Sequence, residues 1–173
     1  EYADDFAAFC VYDGNASRAI VRFKNDPCGN SAYAFAYGIF RAISEKGFAG
    51  YVDEIVYIPM TREDYDKRGY NQTELIAREL HFMMNVPYQN ALVKLRKTRH
   101  QKELSGEERR SNVTGAFAAA EGLRFDGKNV LIIDDVCTTG STLSDAARAL
   151  REAGAERVFT ASFAKTQILS RNS

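Results

Sequence analysis

Val130-Leu-Ile-Ile-Asp134-Asp135-Val-Cys-Thr138-Thr139-Gly140-Ser141-Thr142-Leu143 decides how the rest of this chain is read. An apolar run ends in two adjacent carboxylates, followed by a hydroxyl-rich loop with one glycine and then an amphipathic run. This order predicts a buried strand over 130–133 with two acceptors at its tip. A helix follows, with Leu143, Ala146, Ala147 and Leu150 on one face. The N-terminus of a helix carries unpaired backbone N–H groups and a partial positive charge, which suit a phosphate. Thr138, Thr139, Ser141 and Thr142 add hydroxyl donors, and Gly140 lets the backbone approach a ligand closely. Asp134 and Asp135 would repel a phosphate at contact, but one phosphate length away they can accept hydrogen bonds from two sugar hydroxyls. The stretch therefore predicts a ribose 5-phosphate site. Asp135 is also placed to face a positive charge growing at the anomeric carbon. Helix capping alone explains the pattern poorly, because a cap needs one carboxylate and no run of hydroxyls around a glycine.

Two nucleotide-binding alternatives fail on spacing. The loop has no lysine for a Gly-x4-Gly-Lys-Ser/Thr cradle, and the chain has no Gly-x-Gly-x-x-Gly fingerprint. With 173 residues the chain fits one domain able to bury its own core. Its 23 Lys and Arg balance 23 Asp and Glu, so no global field favours nucleic acid or a membrane surface. Cys10, Cys28 and Cys137 are odd in number and widely spaced, which fits neither a disulfide framework nor a four-ligand zinc site. A reducing, cytoplasmic setting is expected. No apolar run approaches the length of a membrane span. The chain opens on Glu1 and is expected to lack its natural N-terminus.

Working outward from the motif, strands and helices alternate. Strands are predicted at Phe6–Tyr12, Glu54–Ile58, Leu92–Leu95, Phe117–Ala120 and Arg157–Ala164. Helices are predicted over Ala16–Phe23, through Phe35, Ile39 and Ile43, over Asn71–Met84, and after a capping-box pattern at Ser105–Glu108. The expectation is an α/β fold: a doubly wound, mostly parallel sheet with helices on both faces. Ligands collect beyond the carboxyl ends of such strands, where Asp134, Asp135 and the segment after Ile58 should meet.

Residues 130–143 resemble the signature of type I phosphoribosyltransferases, which bind 5-phosphoribosyl 1-pyrophosphate (PRPP) with magnesium. Two further segments resemble the ComF, or competence-protein-F-like, branch. One is Ile58-Pro59-Met60 with Arg68-Gly69-Tyr70-Asn71-Gln72. The other runs from Gln101 through Leu104-Ser105, Glu108-Arg109-Arg110, Asn112-Val113 and Gly115-Ala116-Phe117. Tyr12–Lys24 adds a weaker match, so the resemblance spreads over nearly the whole chain. Many ComF proteins carry an N-terminal cysteine-rich zinc ribbon that this chain lacks; truncation and a ribbon-less member both account for that.

The resemblance implies that Asp134 and Asp135 hold the ribose and that Thr138, Thr139, Gly140, Ser141 and Thr142 hold the 5′-phosphate. Met60, Thr61 and Arg62 become candidates for the pyrophosphate side, mainly through backbone N–H groups. Lys94 to Lys102 contains five basic residues and no acidic one. Arg96, Lys97, Arg99 and Lys102 are candidates for a loop closing over the pyrophosphate, with Arg109, Arg110 and Asn112 anchoring it. A solvated basic loop and a local nucleic-acid patch remain alternative readings of the run. Asp134, Asp135, Arg99 and Lys102 are the candidate catalytic residues. Magnesium is expected mainly through PRPP oxygens, with Asp134 a candidate ligand.

Arg68 and Asn71 read equally as ligand contacts or as helix caps and braces. Cys137 is expected to be a small filler of the loop, and His81 and His100 to be passive. Tyr33, Phe35, Tyr37 and Phe40 are expected in core and helix surface. Residues 1–50 are expected as an N-terminal hood and 51–173 as the PRPP-binding core.

The leading functional expectation is Mg²⁺-dependent phosphoribosyl transfer to an unidentified acceptor. Thr138 stands where 6-oxopurine salvage members of the family carry Asp, which disfavours hypoxanthine and guanine. The second expectation, from resemblance, is a non-catalytic PRPP or nucleotide sensor, or an adaptor in DNA uptake. It would act beside single-stranded DNA or a competence helicase. A third is a domain binding some other sugar phosphate. The oligomeric state stays open.

Overall fold

The computed structural model describes residues 2–25, 29–95 and 115–167. Its centre is a five-stranded, wholly parallel sheet. The strands are β1 (Asp5–Val11), β2 (Glu54–Tyr57), β3 (Tyr88–Gln89), β6 (Asn129–Cys137) and β7 (Arg157–Lys165), in the spatial order β1-β7-β6-β2-β3. β4 (Leu92–Lys94) and β5 (Phe117–Ala119) form a separate antiparallel ribbon. Val130, Leu131, Ile132 and Ile133 are fully buried, as a central strand covered on both faces requires.

Helices cover each face. α1 (Gly14–Asn25), α2 (Gly29–Glu45) and α4 (Gln72–Met84) lie on one side, where Ile20, Phe23, Ile39, Ile43, Ile76 and Leu80 pack against Leu131 and Ile133. On the other side α5 (Ser141–Glu152) sets Leu143, Ala146, Ala147 and Leu150 against Val130, Ile132 and Val158. That is the predicted face of α5. Truncating Leu150 to Ala would cost about 2–5 kcal/mol.

β1 pairs in parallel with β7, and α2 packs beside α4 and β1. Those parts of residues 1–50 belong to the sheet and its covering layer. α1 is the part that reaches the carboxyl edge of the sheet, as the contacts of Lys24 make clear below.

The short helix α3 (Arg62–Arg68) was not expected from the sequence, since it has no buried residue and hence no apolar period. Its signals are polar. Thr61 caps it by accepting from the Asp64 N–H, Glu63 pairs with Lys67 one turn on, and Gly69 closes it at φ 79°.

The chain leaves β2 and β6 in opposite directions. From β2 it passes through α3 and α4 to β3, and from β6 through α5 to β7 on the other side. The carboxyl ends of β2 and β6 therefore flank the crevice where a parallel sheet of this kind binds ligands.

Candidate functional site

The acidic pair differs from expectation in one respect: the strand does not stop at Ile133. β6 continues to Cys137 because its ladder with β7 does, pairing Asp134 with Ser162 and Cys137 with Lys165. On the β2 side, strand pairing ends with Tyr57 opposite Ile133, and one further bond runs from the Ile58 N–H to the Ile133 carbonyl. The two carboxylates are thus held on one edge by β7 and freed on the other, next to the segment leaving β2. That segment is Pro59, Met60, Thr61 and Arg62, which leaves β2 where its pairing with β6 ends. Thr61 uses its hydroxyl on Asp64, donating to the carboxylate at 2.7 Å and accepting from the N–H at 3.1 Å. Arg62 is exposed at the start of α3.

Asp134 and Asp135 serve different neighbourhoods. Asp135 is buried, and its Oδ2 takes an ion pair from Lys24 Nζ at 2.6 Å and a hydrogen bond from Gln72 Nε2 at 3.4 Å. Asp134 is half-buried and accepts the Asp135 N–H at 2.8 Å. Burial, and next the charge of Asp135, push the Asp134 carboxyl well above the usual carboxylate range, against the opposing pull of the Asp135 N–H and Lys24. Lys94, half-buried on β4, feels the charges of Asp64 and Asp134, but burial dominates and lowers its ammonium. The sequence names Lys24 and Gln72 only within segments of family resemblance, and Lys94 only as the start of a basic run, and gives none of them a role in the site.

The loop after β6 has the expected form. Gly140 takes a left-handed backbone at φ 79° as the N-cap of α5, and no side chain caps the helix there. No acidic residue lies in the first turn. Thr139 and Ser141 hydroxyls lie 2.8 Å apart, and the Thr166 hydroxyl donates to the Thr138 carbonyl at 2.9 Å, tying the loop to the end of β7. A Cβ on Gly140 would find room, the nearest atom being Cys137 Sγ at 3.9 Å, so backbone conformation rather than space calls for glycine. A cavity of about 300 Å³ borders the loop, lined by Phe6, Cys137, Thr138, Gly140, Ser144 and Lys165. Neither carboxylate of the pair lines it. Cys137 is buried, and desolvation raises its thiol, which suits a packing residue and not a nucleophile.

Asn71 is also resolved. It is buried, caps α4 by accepting from the Thr73 N–H, and donates Nδ2 to the Ile58 carbonyl at 3.2 Å. It braces the end of β2. Arg68 donates to Gln72 Oε1 at 3.2 Å, and Gln72 in turn reaches Asp135. His81 contacts the Val86 carbonyl at 2.9 Å through Nδ1, a packing role. Phe35 is core, while Tyr33 and Tyr37 are exposed on α2. Arg96, Lys97, Arg99, His100, Lys102, Arg109, Arg110, Asn112 and the helix expected after Ser105 lie outside the described residues. Their flanks are described: Leu95 donates to the Ala116 carbonyl, so segment 96–114 leaves and re-enters at the β4–β5 ribbon.

A strand carrying two acids, a glycine-turned loop and a bare helix N-terminus at the switch point form one combination, and it has known relatives. The phosphoribosyl transferase domain model matches residues 66–170. The chain belongs to that family. Among its relatives, competence protein F of Haemophilus influenzae is 35% identical over 108 residues, 61% of this chain and 47% of that protein. DNA utilization protein YhgH of Escherichia coli O157:H7 is 34% identical over 107 residues, 61% of this chain and 46% of that protein. The chain spans about half the length of the curated relatives it matches. These names agree with the ComF resemblance carried by Ile58–Gln72 and Gln101–Phe117. A solved adenine phosphoribosyltransferase aligns over 86% of this chain and 75% of its own, with TM-score 0.51 and 18% identity, a likeness of fold. Among the described residues of this phosphoribosyl transferase domain, no helix is long and apolar enough to cross a membrane.

Proposed function

We propose that this phosphoribosyl transferase domain binds PRPP with magnesium in the cytoplasm and transfers its phosphoribosyl group to an acceptor. One observation carries the reading: the acidic pair on β6 and the uncapped N-terminus of α5 are joined by the short loop Thr138-Thr139-Gly140, whose hydroxyls, with those of Ser141 and Thr142 in the first turn of α5, suit a phosphate. Asp134 and Asp135 accept the ribose hydroxyls, and the loop with the N–H groups of α5 takes the 5′-phosphate. The Met60–Arg62 backbone, beside Asp134, faces the pyrophosphate. Arg96, Lys97, Arg99 and Lys102 supply positive charge to the leaving group from segment 96–114.

A magnesium ion carried mainly by diphosphate oxygens would find one hard protein oxygen in the half-buried Asp134 carboxylate. Bound there, it would neutralise the departing pyrophosphate. The protein's share of the catalysis is positioning and fixed charge.

Calorimetry with PRPP, with and without Mg²⁺, tests this reading. Binding that needs Mg²⁺ and disappears in the Asp134→Asn, Asp135→Asn double variant supports it. No binding at millimolar PRPP overturns it. Pyrophosphate release across a panel of bases and amines then identifies the acceptor.

A second reading has its own support in the names of the relatives, competence protein F and DNA utilization protein. In it the same PRPP site serves as a sensor or adaptor in DNA uptake, next to single-stranded DNA or a helicase. Silence across the acceptor panel would favour it. So would single-strand binding that falls steeply with salt and with Arg96, Lys97, Arg99 and Lys102 all changed to Ala.

A further inference from the structure

The ion pair between Lys24 and Asp135 joins the N-terminal helix to the acidic pair, and the structure builds it from both ends. Asp135 is 6% exposed, and the Lys24 side chain is only 29% exposed. The backbone of Lys24 is fixed on either side. Asp13 caps the start of α1, its Oδ1 accepting from the N–H groups of Asn15 at 2.9 Å and Ala16 at 2.8 Å. Near the other end, Phe23 is 1% exposed and stacked on Phe35 at 4.7 Å. The Tyr70 hydroxyl lies 3.1 Å from the Phe23 carbonyl and 2.9 Å from the Lys24 carbonyl, donating to them. A surface lysine pairing loosely with a carboxylate has none of this support, and such pairs are worth little.

Among the described residues, the donors to the Asp135 carboxylate, Lys24 and Gln72, both fall on Oδ2, and the Asp134 carboxyl is its other side-chain neighbour. Oδ1 accepts neither of these two bonds. A carboxylate free to spin about its last bond would present either oxygen in many directions. One pinned by Oδ2 presents Oδ1 in a single direction, and hydrogen-bond strength falls steeply with misalignment. Gln72 pins more weakly because it is neutral and its contact is longer, at 3.4 Å against 2.6 Å for Lys24.

We propose that Lys24 is a positioning residue for sugar recognition: it holds Asp135 by Oδ2 so that Oδ1 faces one ribose hydroxyl, and the N-terminal helix α1 thereby sets discrimination between ribose and deoxyribose phosphates. This rests on the PRPP reading above. Lys24 acts through Asp135 and is assigned no contact with the sugar.

The test compares binding of ribose 5-phosphate with its 2-deoxy and 3-deoxy analogues in wild type, Lys24→Met and Lys24→Arg. A hydrogen bond to a charged group is worth about 1.5–3 kcal/mol, so wild type should favour ribose 5-phosphate over one analogue by about tenfold to a hundredfold. Lys24→Met keeps the aliphatic stem and removes the cation. It should lose the preference over that one analogue, since Asp134 and the phosphate loop remain intact. Lys24→Arg should restore part of the preference. A role confined to holding α1 in place would weaken all three ligands alike and leave the preference standing. That result overturns the inference, as does a Lys24→Met variant indistinguishable from wild type. If Lys24→Met does not fold, Lys24→Gln takes its place, and an unchanged preference in that variant overturns the inference. Wild type that binds neither ribose 5-phosphate nor PRPP removes the function and this inference together. Wild type that binds both, with the preference untouched in the variants, removes only the inference.

Discussion

Asp145 and Asp134 are both carboxylates drawn out of water, and the protein treats them in opposite ways. Asp145, on α5, is 5% exposed; its Oδ1 accepts from the Gly115 N–H at 2.8 Å and Arg148 Nε at 2.9 Å, and its Oδ2 from the Phe117 N–H at 2.9 Å. Burial alone would raise its carboxyl, but the Arg148 guanidinium and the two backbone N–H groups outweigh burial and hold it below the usual range. Asp134, near the end of β6, has the reverse balance. Burial and the Asp135 charge push it up, and only one backbone N–H and the more distant Lys24 act against them. One acid is closed, with its acceptor capacity spent on tying α5 to the β5 end of segment 96–114. The other is left with an electrostatic cost that the protein itself does not offset, which is where a ligand's donors have something to gain.

The largest expected effect lies on the closed side. Asp145→Ala would leave the Gly115 and buried Phe117 N–H groups unpaired and take one partner from Arg148, which keeps Glu152 and the Phe117 carbonyl; a destabilisation of about 3–5 kcal/mol is expected in urea unfolding. A loss under about 1 kcal/mol would mean that Asp145 is no better satisfied than a surface acid, and the contrast would fail. On the open side the effect should move from stability to binding. Asp134→Asn with Asp135→Asn is expected to weaken PRPP by about a hundredfold or more, two charge-assisted hydrogen bonds being lost. Its unfolding midpoint should fall far less than that of Asp145→Ala, since only the Lys24–Asp135 pair is lost. A variant that binds normally, or one that unfolds as readily as Asp145→Ala, would place the acidic pair among structural residues.

The sequence made the open side legible and the closed side nearly invisible, for a physical reason. Strand β6, its loop and α5 form one continuous segment, so the apolar run, the acids, Gly140 and the Leu143–Leu150 face all announce themselves within reach of local rules. Even there, the strand's end was misjudged. Asp134 to Cys137 stay extended because β7 continues beside them, and no local signal reports a neighbour's length. Asp145, by contrast, is one polar position among several on an amphipathic helix and carries no such signal. Its partners Gly115 and Phe117 come from another part of the chain. Lys24 and Gln72 escaped for the same reason, since their meeting at Asp135 is a product of tertiary packing. The helix α3 escaped differently, because its stabilisation is polar throughout and periodicity searches see only apolar stripes.

The smallest expected effect separates the two acids most cleanly, because it is a difference in sign with pH. Asp134 has a folded-state pKa above its unfolded value, so its favourable contribution is present at low pH and lost as pH rises through the folded value. Asp134→Asn removes a charge that the ligand-free protein holds at a cost. Its unfolding midpoint should therefore exceed wild type near pH 8, by about 2–4 °C if about 1 kcal/mol is recovered, and the gap should close as pH falls toward 4. Asp145 has a depressed folded-state pKa, so its contribution is present above the ordinary carboxylate range and lost as pH falls through the folded value. Asp145→Asn should fall below wild type near neutral pH and approach it in acid. Thermal melts of wild type and both variants from pH 3 to pH 8 would show the two differences with opposite signs. If the two curves run on the same side of wild type, the acids share one structural role and Asp134 loses its claim to a ligand. If they diverge and PRPP then erases the advantage of Asp134→Asn by stabilising only wild type, the electrostatic cost held on β6 is the one that ligand binding relieves.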